Sequence, residues 1–204
     1  MTYPPLYIRR HGQTLWNAAH RIQGSLDSPL TEKGRAQACM QRDLLAECDL
    51  SGFEAVSSPQ GRAFHTASLA LEGLFDAIRT DRRLAEIGVG QWEGLVRGDL
   101  AIAAPMDESE ESALDLYERA PGGEGFAALH RRCVEFLNGL QGPAVLVTHG
   151  VTSRMLRLVL TDRDISEIGL IQGGQGVGYY LENGVQRTVA RGAGSRWRGW
   201  LHRT

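Results

Sequence analysis

Leu6-Tyr-Ile-Arg-Arg-His11-Gly12 and Val145-Leu-Val-Thr-His149-Gly150 follow one plan: a short apolar run, a histidine, then a glycine. Apolar runs of this length read as buried strands. Strands are expected at Leu6 to Arg9, Glu54 to Ser57 and Ala144 to Thr148. The segments between them have helical period. One helix starts at Thr31 as N-cap, with Glu32 in its first turn, and places Ala36, Met40 and Leu44 on one face. A second carries Ala63, Ala67, Ala70, Leu71 and Leu74. A third runs from about Glu124 with Phe126, Leu129, Cys133, Leu137 and Leu140, and a fourth follows Gly150 with Val151, Met155, Leu158 and Val159. Asn183-Gly184, between Tyr179 to Glu182 and Val185 to Val189, signals a hairpin with a type I′ turn. Strands alternating with helices make an α/β fold, here with a mostly parallel sheet and an antiparallel edge strand.

A chain of 204 residues with 42% hydrophobic and 23% charged residues is expected to form a single globular domain over 1–204. Its net charge of -2 gives the whole protein no electrostatic reason to bind nucleic acid or a membrane surface. Lys33 is the only lysine, and Gly34 follows it, so there is no Gly-Lys-Ser/Thr phosphate loop. Cys39, Cys48 and Cys133 form no CxxC pair and are odd in number, which points to a reducing cytoplasm. Pro4 and Pro5 follow Met1 with no basic stretch and no long apolar run, so nothing reads as a secretory signal. Asp107-Glu-Ser-Glu-Glu111 reads as a solvated acidic run. The last 18 residues, with Arg187, Arg191, Arg196, Arg198 and Arg203 beside Trp197 and Trp200, read as solvated surface.

Ligands of open α/β sheets bind outside the carboxyl ends of the strands. His11 and His149 stand at two such ends. The strand ending in Ser57-Ser-Pro runs into a helix with Arg62 in its first turn, so Arg10, His11, Arg62 and His149 are expected at one rim. These types suit a phosphoryl group: guanidinium forks match its oxygens, and helix N-termini add backbone donors. A histidine between fixed positive charges stays neutral and keeps a lone pair, which makes it a candidate nucleophile. No HxxxH, HxH or carboxylate cluster accompanies His11 or His149, and the flanking arginines repel a cation, so no metal is expected. His20, His65, His130 and His202 read as helix or loop histidines without a catalytic partner.

Arg10-His-Gly-Gln-Thr-Leu-Trp-Asn17, followed by Gln23-Gly24, Asp27, Pro29-Leu-Thr31, Gly34 and Gln37-Ala38, resembles the N-terminal signature of the histidine phosphatase superfamily, the phosphoglycerate mutase-like proteins. Ser57-Ser-Pro-Gln-Gly-Arg62-Ala-Phe-His-Thr66-Ala67 is similar to its second motif, Glu86-Ile-Gly-Val-Gly-Gln-Trp92-Glu93-Gly94 to its third, and Val147-Thr-His149-Gly150 to its fourth. Pro121-Gly-Gly-Glu124 is similar to the family's Pro-Gly-Gly-Glu-Ser. The resemblance implies a three-layer α/β/α sandwich without a required cofactor. It implies that His11 is the phosphorylated nucleophile and Glu86 the proton donor and later the base. Arg10, Arg62 and His149 would hold the phosphoryl oxygens, with Gly150 beside them. Asn17 would add a donor, and Gln23 with Gly24 would border the substrate.

The departures from the family pattern bear on the reaction. Glycolytic mutases of the family carry Glu-Arg-His-Tyr-Gly at the third motif and a lysine nearby, whereas here Ile87-Gly88-Val89 follows Glu86. Gly125 replaces the serine after Pro-Gly-Gly-Glu, which puts that motif's local hydrogen bond in doubt. The expectation is a phosphomonoesterase acting on a small-molecule phosphate ester in the cytoplasm. The alternatives are a 2,3-bisphosphoglycerate-dependent phosphoglycerate mutase and a catalytically silent phosphate-binding module. The stretch from Arg97 to Ala120 is expected to cap the site as a variable insertion. A homodimer is left open.

Overall fold

The computed structural model describes residues 2–103 and 114–189, with side chains of 101–103 left aside. In chain order the elements are β1 (Leu6–Arg10), α1 (Leu15–Ala18), α2 (Glu32–Ala46), β2 (Glu54–Ser57), α3 (Gly61–Ala70), β3 (Arg79–Thr80), α4 (Arg97–Ala103), α5 (Asp115–Glu118), α6 (Gly125–Asn138), β4 (Ala144–Thr148), α7 (Gly150–Leu160), β5 (Gly178–Glu182) and β6 (Val185–Val189). The strands form one sheet in the order β3-β2-β4-β1-β5-β6. β3, β2, β4 and β1 are mutually parallel, while β5 runs antiparallel to both β1 and β6. The β5–β6 turn has Asn183 and Gly184 at φ 51° and 76°, the left-handed backbone of the expected type I′ turn. The acidic run at 107–111 and all of the arginine-rich tail after 189 lie outside the described residues, as does much of the expected cap. No helix among the described residues is long and apolar enough to cross a membrane.

Alternation along the strands separates two cores. Leu6 and Ile8 of β1 and Ala144 and Leu146 of β4 join Phe126, Leu129 and Cys133 of α6 and Met155 and Leu158 of α7 on one face. Tyr7, Val145 and Val147 turn the other way, onto Ala38 and Leu45 of α2 and Ala63, Ala67 and Ala70 of α3. The result is helix layers on both faces of a sheet, the three-layer sandwich implied by the family resemblance. Each fully buried Leu, Val or Ile contributes about 1.5–3 kcal/mol to this arrangement.

The buried stripe of α2 differs from the expected one. Gly34, Ala38, Gln41 and Leu45 face the sheet, whereas Ala36 is exposed and Met40 and Leu44 are half-buried. The reason is close approach of backbone to backbone. A Cβ on Gly34 would stand 2.0 Å from the Gln13 carbonyl oxygen, and one on Gly12 would stand 2.2 Å from that of Gly34. The small residues let α2 lie directly on the loop after β1, and Gln41 Nε2 donates to the Arg10 carbonyl oxygen at 3.0 Å. The second helix is also shorter than expected. It ends at Ala70, with Leu71 as C-cap and Gly73 at φ 74°, so Leu74 follows in a turn.

This contact makes a prediction for stability. Gly34→Ala forces a methyl group into backbone and should cost about 1–3 kcal/mol, seen as a lower urea midpoint. Gly142→Ala, with nothing within 4 Å of the added carbon, should leave the midpoint unchanged.

Candidate active site

Four strand ends and two helix starts meet at one end of the sheet. His11 follows β1, and its N–H donates to the Thr148 carbonyl oxygen at 2.9 Å, so the parallel pairing of β1 and β4 carries His11 and His149 side by side. Their ring centroids are 5.2 Å apart, and both residues are buried. Gly12 N–H donates to Thr66 Oγ1 of α3 at 3.0 Å. Gly150 opens α7 against Arg10: a Cβ there would lie 3.3 Å from the guanidinium carbon.

Hydrogen bonds assign the imidazole tautomer of His11. Its Nδ1 is 2.7 Å from the Gly12 carbonyl oxygen, which can only accept, so Nδ1 carries the proton and Nε2 the lone pair. Burial pushes the His11 pKa well below its ordinary value, and the charges of Arg10 and Arg62 push it further. For His149 burial again leads, followed by Arg62, His11 and Arg10. Burial thus contributes more than the arginine charges from which neutrality was expected. His149 Nε2 bonds Ser58 Oγ at 2.7 Å. The same Oγ accepts Gln60 N–H at 3.3 Å.

Arg62 is fixed rather than free. Nη1 donates to the Leu26 carbonyl oxygen at 2.7 Å and to Asp27 Oδ1 at 3.0 Å, and Nη2 to the Gly24 carbonyl oxygen at 2.9 Å. Gly24, at φ 52°, holds that carbonyl in place and also receives Gln60 Nε2. Arg10 lies within electrostatic reach of Glu86, whose charge opposes the lowering of its pKa by burial. Arg10 Nε, Arg62 Nε and His149 Nδ1 are buried and bond to no protein atom. A buried donor without an acceptor costs about 1–3 kcal/mol.

The helix N-termini act differently from the expectation. Val151 and Thr152 N–H at the start of α7 donate to Glu86 Oε2 and Oε1 at 3.1 and 3.0 Å. Arg62 N–H at the start of α3 donates to both Asp27 oxygens at 3.1 Å. Carboxylates of the protein therefore take up these N–H groups at both helix starts. Asn17 Oδ1 is engaged by Thr14 N–H and by Gln175 Nε2 at 2.8 Å, so the amide nitrogen is what Asn17 can offer. Gln23 is buried with Oε1 unpaired. Among the described residues no group of three His, Cys, Asp or Glu converges as metal ligands.

Residues 6–182 match the family model of the histidine phosphatase superfamily, branch 1. The chain belongs to this superfamily. It is 32% identical over 158 residues to the probable phosphoglycerate mutase GpmB of Erwinia tasmaniensis, covering 74% of this chain and 72% of that protein. It is 35% identical over 153 residues to the GpmB of Yersinia pestis, covering 72% and 69%. Among solved structures it is similar to a mycobacterial glucosyl-3-phosphoglycerate phosphatase, with a TM-score of 0.74, 28% identity and coverage of 92% and 99%. It is also similar to the α-ribazole phosphatase of Shigella flexneri, with a TM-score of 0.73, 27% identity and coverage of 86% and 89%.

The superfamily's Pro-Gly-Gly-Glu motif is completed here in another way. Gly125 has φ 73°, which disfavours a serine, and Glu118 Oε2 of α5 accepts the Phe126 N–H in place of a local side chain. Asp27, Ser58, Gln60 and Thr66 lie in the motifs that carry the resemblance but are given no role by it, and Thr152 lies outside them; all five support the site. Asp27 is 35 positions from Arg62 and Ser58 is 91 from His149, separations that no local pattern reports.

The buried imidazoles give the fold a pH dependence. Below the ordinary histidine value of 6.5 the unfolded chain binds protons that folded His11 and His149 refuse. Stability is therefore complete above that value and falls beneath it, by up to about 1.4 kcal/mol per pH unit for each ring. Urea unfolding should show a falling free energy from about pH 7 to about pH 5, with a shallower slope in His149→Asn. A free energy that holds or rises toward acid would contradict the neutral pair.

Proposed function

We propose that the protein is a phosphomonoesterase that hydrolyses a small phosphate ester through a phosphohistidine at His11. The observation that carries the choice of hydrolysis lies just after Glu86. Ile87 and Val89 are fully buried in the core, and Gly88 between them is bound on both backbone atoms by Glu124. This stretch presents no cation to a second anionic group, so nothing in it retains a departing phosphoglycerate for return of the phosphoryl group.

The chemistry follows from the tautomer and the donors. The Nε2 lone pair of His11 attacks phosphorus, with Arg10, Arg62 and His149 Nδ1–H on the phosphoryl oxygens. The ester P–O bond breaks, and its oxygen takes a proton from Glu86, which is protonated once the substrate's phosphate anion stands beside it, to leave as an alcohol. Oε1 of Glu86 accepts Ile87 N–H and Thr152 N–H, whereas Oε2 accepts Val151 N–H alone. Glu86 then takes a proton from water, the water oxygen bonds to phosphorus, the N–P bond breaks, and orthophosphate departs with His11 restored. Arginines supply the positive charge, so no step calls for a metal ion.

The names of the curated relatives favour a second reading, a mutase, and one assay separates the two. After prolonged chelation, the protein incubated with 3-phosphoglycerate and 2,3-bisphosphoglycerate should release orthophosphate faster than it forms 2-phosphoglycerate. Faster formation of 2-phosphoglycerate would replace the phosphatase with a mutase. Failure to release phosphate from any of a broad panel of esters would favour a silent binding module.

A further inference from the structure

Glu86 sits between two short 3-10 turns, Arg82–Leu84 and Gly90–Trp92, outside every helix and strand of regular pairing. Its backbone is nevertheless held at each step. Leu84 and Ala85 carbonyl oxygens accept from Thr148 Oγ1 and Thr152 Oγ1, both at 2.7 Å. Glu86 N–H donates to Gln60 Oε1 at 2.7 Å. The two ends of the stretch are held from α6. Arg132 Nη1 donates to the Arg83 carbonyl oxygen at 2.6 Å. The remaining edge of the same guanidinium grips Glu124, Nε to Oε1 at 2.5 Å and Nη2 to Oε2 at 2.9 Å. Glu124 in turn donates its N–H to the Gly88 carbonyl oxygen at 2.8 Å and accepts Gly88 N–H on Oε2 at 3.3 Å.

One arginine thus fastens residue 83 directly and residue 88 through Glu124, with Glu86 between them. We infer that Arg132 and Glu124 are positioning residues that set where the Glu86 carboxyl stands relative to the phosphoryl cradle. The inference rests on the reading of Glu86 as proton donor. None of the hydrogen bonds that fix His11, Arg62 or His149 involves α6, whereas the placement of Glu86 involves it twice. A general acid must come within about 2.6–3.2 Å of the leaving oxygen, and a misplacement of about 1 Å can cost about 100-fold. Only Arg serves, because its planar fork reaches a carbonyl and a carboxylate at once, while lysine presents a single point charge.

A positioning role has a signature that loss of fold does not share. Help from an acid matters for an alkoxide leaving group and little for an aryloxide that departs readily as an anion. In single-turnover formation of the phosphoenzyme, Arg132→Gln and Glu124→Gln should slow reaction of an alkyl phosphate by about 10 to 100-fold. The same variants should slow p-nitrophenyl phosphate by less than about 3-fold and keep vanadate affinity within about 3-fold. Arg132→Lys should remain as slow as Arg132→Gln with the alkyl ester, because charge without the fork does not rebuild the clasp. Equal losses on both esters, or full recovery in Arg132→Lys, would overturn the inference. Glu124→Gln keeps a carbonyl oxygen for Gly88 N–H and so tests the clasp should Arg132 variants fold poorly. Glu86→Gln, measured alongside, separates the two levels. If it discriminates between the esters and the α6 variants do not, the inference alone fails. If it slows both equally, the reading of Glu86 as acid fails and the inference with it.

Discussion

Positive charge enclosed at the ends of β1 and β4 is the constraint around which the site is arranged. Arg62 is almost wholly buried and Arg10 has its Nε sealed from solvent, beside two imidazoles. Enclosed charge must be compensated or it destabilises the fold by several kcal/mol. Arg62 is compensated by Asp27 and two carbonyl oxygens, and Arg10 by the nearby charge of Glu86. The imidazoles answer by staying neutral. That response makes His11 useful, since a protonated ring would have no lone pair for phosphorus.

The same compensation reaches the helix N-termini. Glu86 on α7 and Asp27 on α3 satisfy helix dipoles and arginine charges together. Each carboxylate is thereby fixed in orientation, while Arg10 Nε, Arg62 Nε and His149 Nδ1 are without a protein partner. Backbone approach sets the scale of the whole arrangement. Gly12 against Gly34 lets α2 lie on the loop that carries His11, and Gly150 leaves space for the Arg10 guanidinium.

Much of this was legible in the chain. β1, β4 and the β5–β6 hairpin are short apolar runs with strong boundary residues, and their ends announce His11 and His149 without any comparison. Arg62 follows from the strand-to-helix turn at Ser57-Ser-Pro. The α2 face differs from the expected Ala36, Met40 and Leu44 stripe because the contact with Gly12 calls for the smallest residue at Gly34. Glu86 was reachable only through family resemblance. It stands in a stretch whose shape comes from side chains of β4, α6 and α7 gripping its carbonyls, so neither a period of 3.6 nor one of 2 marks it. Asp27 and Ser58 act across long separations in the chain, and their roles exist only once the sheet has formed.

His11 is neutral, with its proton fixed on Nδ1 by the Gly12 carbonyl and its lone pair on Nε2. The most direct test is to trap the phosphorylated protein by rapid acid-free quenching with an alkyl phosphate and to locate the phosphoryl group by mass spectrometry and phosphorus NMR. The account predicts a single phosphohistidine at His11, bonded through Nε2 and absent from His11→Ala. A phosphoryl group on Nδ1, on His149 or on a side chain outside the cradle would contradict it.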